Sequence, residues 1–174
     1  IGVRGEDAES FLQGQLTNDI RELSPTHTQI SSHCSPKGRM LASFRVLRLG
    51  DTIYLQLPRE RLPDSLKRLR LYVLRAKVGL DDCSDTLVRI AIAGDCAQAL
   101  LEGQGLAVPE RDEDLAVADG VCVLSLRSPA RRFEVLGPED ARGREPGLAA
   151  SLRGAFSFPR DGVARAGRVG RALV

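Results

Sequence analysis

The apolar residues of this chain fall into short blocks, each with its own period. In IGVRGEDAESFLQGQL a short strand runs into a turn at Gly5, after which Ala8, Phe11, Leu12 and Leu16 recur at helical spacing. The helix is predicted to begin near Glu6 or Asp7, since acidic residues in a first turn suit the positive end of the helix dipole. TQISSHC and RMLASFRVLRLG then flank Ser35-Pro36-Lys37-Gly38, a turn of the kind that closes a hairpin, and DTIYLQLP supplies a further strand ended by Pro58. Pro63 and Asp64 set up a second helix, with Leu62, Leu66, Leu69 and Val73 on one face.

Strand, glycine and short helix return in VRIAIAGDCAQALLEGQGL. Aligning Gly5 with Gly94 also pairs Ala8 with Ala97, Leu12 with Leu101, Gly14 with Gly103 and Gln15 with Gln104, so two similar lobes are expected. Strands around VCVLSL and RRFEVLG follow, separated by Arg127-Ser128-Pro129-Ala130. From Gly137 onward Gly, Pro, Ala and Arg dominate, and apolar periodicity survives only at Leu148 to Leu152. The fold class expected is α+β. Its divisions are a first lobe over 1–82, a second over 83–154, and a remnant over 155–174.

Composition changes this picture little. With 174 residues and 43% apolar content the chain can bury a substantial core. A formal charge of +2 is too mild to mark a nucleic-acid binder, and 22 arginines against three lysines can follow from coding composition alone. Arg59 to Lys77 carries seven basic residues against two acidic ones, a local +5, and the solvated face of a leucine-striped helix accounts for it. Nucleic-acid binding is therefore not expected. Cys34, Cys83, Cys96 and Cys122 are irregularly spaced with only His27 and His33 to join them, which points to buried reduced thiols rather than a metal site. No apolar run reaches the roughly 20 residues that span a bilayer, and nothing looks like a signal peptide, so a cytoplasmic monomer is expected.

Candidate chemistry gathers in two places. Gln13, Gln15, Thr17, Asn18 and Asp19 form a polar run where the first helix ends, and amide and hydroxyl groups there can meet the edge of a heterocycle or cap and turn the chain. Lys37 and Arg39 sit at the hairpin turn, where they can grip a carboxylate or stand solvated. Phe44, Tyr54 and Tyr72 can stack on a ring, though two of the three are expected in the core.

FLQGQLTNDI at Phe11 to Ile20 and SPKGRMLASFRV at Ser35 to Val46, with LKRLRLYVLRAKV and the second glycine–helix repeat, resemble the folate-binding YgfZ-type proteins, relatives of the glycine-cleavage T-protein. The resemblance runs from Ile1 to about Gly137. It implies two ferredoxin-like lobes that build a folate-binding ring, with a further barrel that is absent or incomplete here. It also implies tetrahydrofolate as cofactor, with Gln15, Thr17, Asn18, Asp19, Lys37 and Arg39 as the binding residues. Iron–sulfur proteins, including those that modify tRNA, are the partners it suggests.

T-proteins carry paired carboxylates after the corresponding hairpin, and here Leu41 and Ala42 stand in their place, so no catalytic residue is assigned. An aminomethyltransferase, with Asp19 replacing the lost acids, is the alternative. The YgfZ branch also has a K-G-C-Y-x-G-Q-E stretch; Phe156-Ser157-Phe158 and Val163-Ala164-Arg165 match its flanks, with only Pro159-Arg160-Asp161-Gly162 between. Either the motif has been lost or residues are missing from this sequence between Phe158 and Val163; the presence of both flanks, the decay after Gly137 and a first residue that is not methionine favour the second.

Overall fold

The computed structural model describes residues 1–138 and 162–165, and the chain divides into two compact units, Ile1–Ser84 and Asp85–Val174. In the first, β1 (Gly2–Arg4) leads through Gly5 into α1 (Ala8–Gln13). A 3₁₀ turn at Ile20–Glu22 precedes the hairpin of β2 (Gln29–Cys34) and β3 (Met40–Leu49), which continues into β4 (Thr52–Gln56). A second 3₁₀ turn, α2 (Leu62–Arg70) and β5 (Gly79–Asp81) complete the unit. The five strands form one antiparallel sheet in the order β2-β3-β4-β1-β5.

Its core explains why the helices form where they do. Ala8, Phe11 and Leu12 of α1 and Leu62, Leu66 and Leu69 of α2 pack in one buried cluster with Val3, Phe44, Val46, Ile53, Leu55 and Leu80 of the sheet. Each such side chain removed from water contributes about 1.5–3 kcal/mol, far more than the intrinsic propensity of helices only six and nine residues long. Helix α2 stops at Arg70, three residues before Val73, yet Val73 still packs against this cluster from the turn beyond. Arg70 reaches back to the edge strand, its Nε and Nη2 donating to the Leu80 carbonyl at 3.3 and 2.6 Å.

The second unit repeats the opening. β6 (Leu87–Ala93) passes through Gly94 into α3 (Ala97–Gly103), and β7 (Leu115–Ala118), β8 (Val121–Ser125) and β9 (Arg132–Pro138) follow. β10 (Gly162–Arg165) pairs parallel with β6, and the order is β10-β6-β9-β8-β7 with every other pair antiparallel. Ile92, Ala97, Leu101, Val121, Val123, Phe133 and Val135 form its core. All five residues of β8 are buried, which explains an unbroken apolar run where a one-faced strand would alternate.

The α+β class expected from sequence is the one adopted, and among the described residues no sheet closes into a barrel. Repetition extends to the turn itself. Gly5 and Gly94 have φ of +120° and +123°, and each accepts through its carbonyl the N–H three residues on, Ala8 at 3.1 Å and Ala97 at 3.0 Å. Three strands were not apparent in the sequence: β5, β7 and β10, the last formed by residues that read there as the flank of a motif. Leu148 to Leu152 and Phe156 to Asp161 lie outside the described residues. Of the cysteines expected to be buried, Cys83 and Cys122 are, Cys34 is half-buried, and Cys96 is exposed at the start of α3.

At Gly5 an added Cβ would stand 2.0 Å from the Lys77 carbonyl oxygen, on a backbone that side chains rarely adopt. Gly5→Ala should therefore cost about 3 kcal/mol in denaturant unfolding. Gly14→Ala, at φ −80° with the nearest atom 3.5 Å away, should change stability by less than about 0.5 kcal/mol.

Candidate functional site

Strand β2 lies at an edge of the first sheet, so its outer backbone groups need partners. The polar run after α1 supplies them. Leu16 bridges His33 in antiparallel fashion, the Thr17 N–H donates to the Ser32 carbonyl at 3.0 Å, and the Ser32 N–H donates to Thr17 Oγ1 at 3.0 Å. Ser31 Oγ accepts the Asn18 N–H at 3.0 Å and lies 3.4 Å from Thr17 Oγ1. Gln13 Oε1 accepts the Ile20 N–H at 2.8 Å, which closes the loop back onto the helix.

This arrangement divides the candidate residues into two groups. Thr17 is committed to β2 through both backbone and hydroxyl. Asp19 caps the 3₁₀ turn, accepting from the Arg21 N–H at 3.0 Å and from its guanidinium at 2.8 and 2.6 Å. Those hydrogen bonds hold the Asp19 carboxyl below the ordinary carboxylate range, so it stays ionised and is a poor proton acceptor. Gln15 is half-buried and Asn18 exposed, and the Asn18 carboxamide oxygen accepts from the Thr17 hydroxyl at 3.3 Å.

Lys37 and Arg39 are exposed on the turn between β2 and β3, and among the described residues no carboxylate pairs with either. The turn is fixed by its own backbone: Ser35 N–H to the Arg39 carbonyl at 2.8 Å and Gly38 N–H to the Ser35 carbonyl at 2.8 Å. The register shifts between His33 and Cys34, so that His33 faces Ala42 and Cys34 faces Met40, leaving Leu41 as the extra residue. Both positions read as replacing carboxylates thus sit on the strand opposite β2, and Ala42 packs against the core. The two motifs meet on one strand, the first along its outer edge and the second as its hairpin partner.

Sequence reasoning passed over Ser31 and weighed His33 only as a companion of the cysteines. Ser31 is 1% exposed and His33 4%, both on the face that packs inward. The alternation in QISSHC was the available signal. His33 meets Tyr72 edge-on at 6.3 Å between ring centroids, and burial, helped by the nearby Arg68 charge, pulls its pKa below the usual 6.5. The imidazole is therefore neutral at physiological pH. Of the three candidate stacking residues, Phe44 is buried core, Tyr54 half-buried and Tyr72 exposed.

Elsewhere the chemistry is sparse. Among the described residues no group of three His, Cys, Asp or Glu could hold a metal, and no helix is long and apolar enough to cross a membrane. Burial pushes the Cys122 thiol up to about 11, which leaves it protonated and inert. The second unit has an open cleft of about 480 Å³ lined by Glu110, Arg111, Asp112, Ser128, Arg131 and Arg132, and no residue singled out in the sequence reaches it.

A histidine held below its unfolded pKa binds fewer protons folded than unfolded. Its contribution to stability is complete above about pH 6.5 and declines as pH falls below that. Melting temperature should therefore drop between pH 7.5 and 5.5, and His33→Gln should flatten that part of the profile.

No family model matches the chain. It is 32% identical over 133 residues to the tRNA-modifying protein YgfZ of Hamiltonella defensa, across 76% of this chain and 39% of that protein. With the tRNA-modifying protein YgfZ of Klebsiella pneumoniae it shares 31% identity over 153 residues, 87% of this chain and 45% of the relative. It thus spans less than half the length of these curated relatives. The crystal structure of glycine cleavage system aminomethyltransferase T from Bartonella henselae superposes with a TM-score of 0.71 at 18% identity, covering 94% of this chain and 44% of that one. In sequence the chain is thus similar to YgfZ proteins, and in fold to the glycine-cleavage T-protein.

Proposed function

We propose that this chain is the folate-binding part of an accessory protein that holds tetrahydrofolate and supports assembly or repair of iron–sulfur proteins, among them enzymes that modify tRNA. The observation that carries this reading is the joining of Leu16–Asn18 to β2, which puts the polar run and the lysine–glycine hairpin on one strand. The kinship with proteins named as tRNA-modifying supports the biological role. The donor set suits the ligand. Carboxamides at Gln15 and Asn18 both donate and accept, as a pterin edge requires, while Lys37 and Arg39 offer exposed cations to a glutamate tail. Thr17 and Asp19 shape the segment that presents them.

Bound tetrahydrofolate supplies a reduced pterin nitrogen able to carry one-carbon groups. The chain offers that nitrogen little proton-handling help. Leu41 and Ala42 are apolar, and Asp19 is locked to Arg21 in its ionised form. Binding without aminomethyl transfer is the consequence, in a protein that works as a cytoplasmic monomer.

Calorimetric titration with tetrahydrofolate should give measurable heat, and its absence, together with no thermal stabilisation, would sink the reading. Lys37→Ala with Arg39→Ala should weaken a polyglutamylated folate about tenfold or more, and the monoglutamate less. Incubation with lipoylated carrier protein and tetrahydrofolate should yield no turnover; turnover that vanishes in Asp19→Ala would favour the transferase instead.

A further inference from the structure

The turn after α2 presents its side chains in an unusual way. Leu71 is 68% exposed, Tyr72 43% and Leu74 87%, whereas Val73 between them is half-buried and packs on the core. Loose chain does not explain this. The Leu71, Tyr72 and Val73 N–H groups donate to the carbonyls of Arg68, Leu69 and Arg70 at 3.2, 3.0 and 3.3 Å, and Ala76 N–H donates to the Val73 carbonyl at 2.8 Å. Leu74 has φ of +45°, a conformation that costs a branched side chain energy and that Asn or Gly would adopt more readily. A strained leucine, held rigidly outward, is what an interface anchor looks like before it is covered.

Charge along the turn itself is positive. No acidic residue occurs between Asp64 and Asp81, while Lys67, Arg68 and Arg75 are exposed there. The Tyr72–His33 contact brings in the hairpin of β2 and β3, itself free of acids from Leu23 to Gly50. Two acids meet the end of the segment at Lys77, Glu6 pairing with its ammonium at 2.7 Å and Asp7 accepting its backbone N–H at 2.8 Å.

We propose that this turn is a docking surface for a partner protein that presents an acidic amphipathic helix, whose apolar side chains cover Leu71, Tyr72 and Leu74 while its carboxylates meet Lys67, Arg68 and Arg75. Two exposed leucines beside a single aromatic ring suit a protein surface. A single-stranded nucleic acid would call for a run of stacking rings. Leu71, Leu74, Lys67, Arg68 and Arg75 lie outside the proposed folate-binding residues, so variants at these five positions separate the two readings.

The test uses the full-length protein and a fluorescent synthetic helix with leucines at i, i+3, i+4 and i+7 and glutamates elsewhere. The helix should bind, and the double variant Leu71→Ser, Leu74→Ser should weaken it roughly tenfold without lowering the melting temperature. Arg68→Glu with Arg75→Glu should weaken it by a similar factor at low salt, with the loss shrinking at high salt. Leu74→Asn should bind less tightly and melt at the same temperature or higher. No binding of the helix, or equal binding by the serine variant, overturns the proposal. So does tighter binding of an oligouridylate that ignores Leu71 and Leu74, which would mark an RNA surface. Protection of a cysteine placed at Leu74 from maleimide would also overturn it, showing the turn covered within the protein itself.

Discussion

An edge strand cannot keep a row of unanswered backbone donors and acceptors, and the way β2 meets that demand organises the first unit. Its outer edge is answered by the residues that leave α1, with one backbone bridge at Leu16, a reciprocal pair of bonds between Thr17 and Ser32, and the Ser31 hydroxyl beneath Asn18. Its inner edge is the hairpin with β3. Two stretches lying some twenty residues apart in sequence are therefore held on the same strand by elementary hydrogen-bond satisfaction. The polar run is first of all structural, and whatever it offers a ligand is what remains after β2 has been satisfied.

That division was only partly legible beforehand. Gln15, Thr17, Asn18 and Asp19 stand together in sequence, but nothing in their spacing tells which are spent internally. The structure spends Thr17 on the strand and Asp19 on Arg21, leaving the amides of Gln15 and Asn18 more open. Ser31 escaped notice, and His33 was weighed only as a metal ligand, because a serine and a histidine within a strand look like solvent-facing positions, whereas both are buried. The glycine–helix repeat was readable to the level of the turn, since a left-handed glycine followed three residues later by a buried alanine demands a particular geometry, and Gly5 and Gly94 share it within 3°. β5 and β7, three and four residues long, carry too few positions for any period to show.

Loss of acids at the hairpin has a counterpart in the neutral imidazole opposite. Where a T-protein-like catalyst would need a carboxylate beside the folate nitrogen, this chain sets Ala42 across from a buried, uncharged His33. Burial, with the Arg68 charge nearby, keeps that imidazole uncharged. The same physics makes Cys122 inert and leaves the exposed Cys96 as the more accessible thiol.

Arg70 shows how one side chain can serve the whole molecule's behaviour in a crowded solution. β5 is the far edge of the sheet and only three residues long, and the guanidinium fork of Arg70 rests on its central carbonyl. A neighbouring chain that tried to add a strand there would have to displace a cation from an acceptor it already occupies. The margin of the sheet is thus poorly suited to templating growth, through a residue whose sequence context suggested nothing beyond a charged helix face.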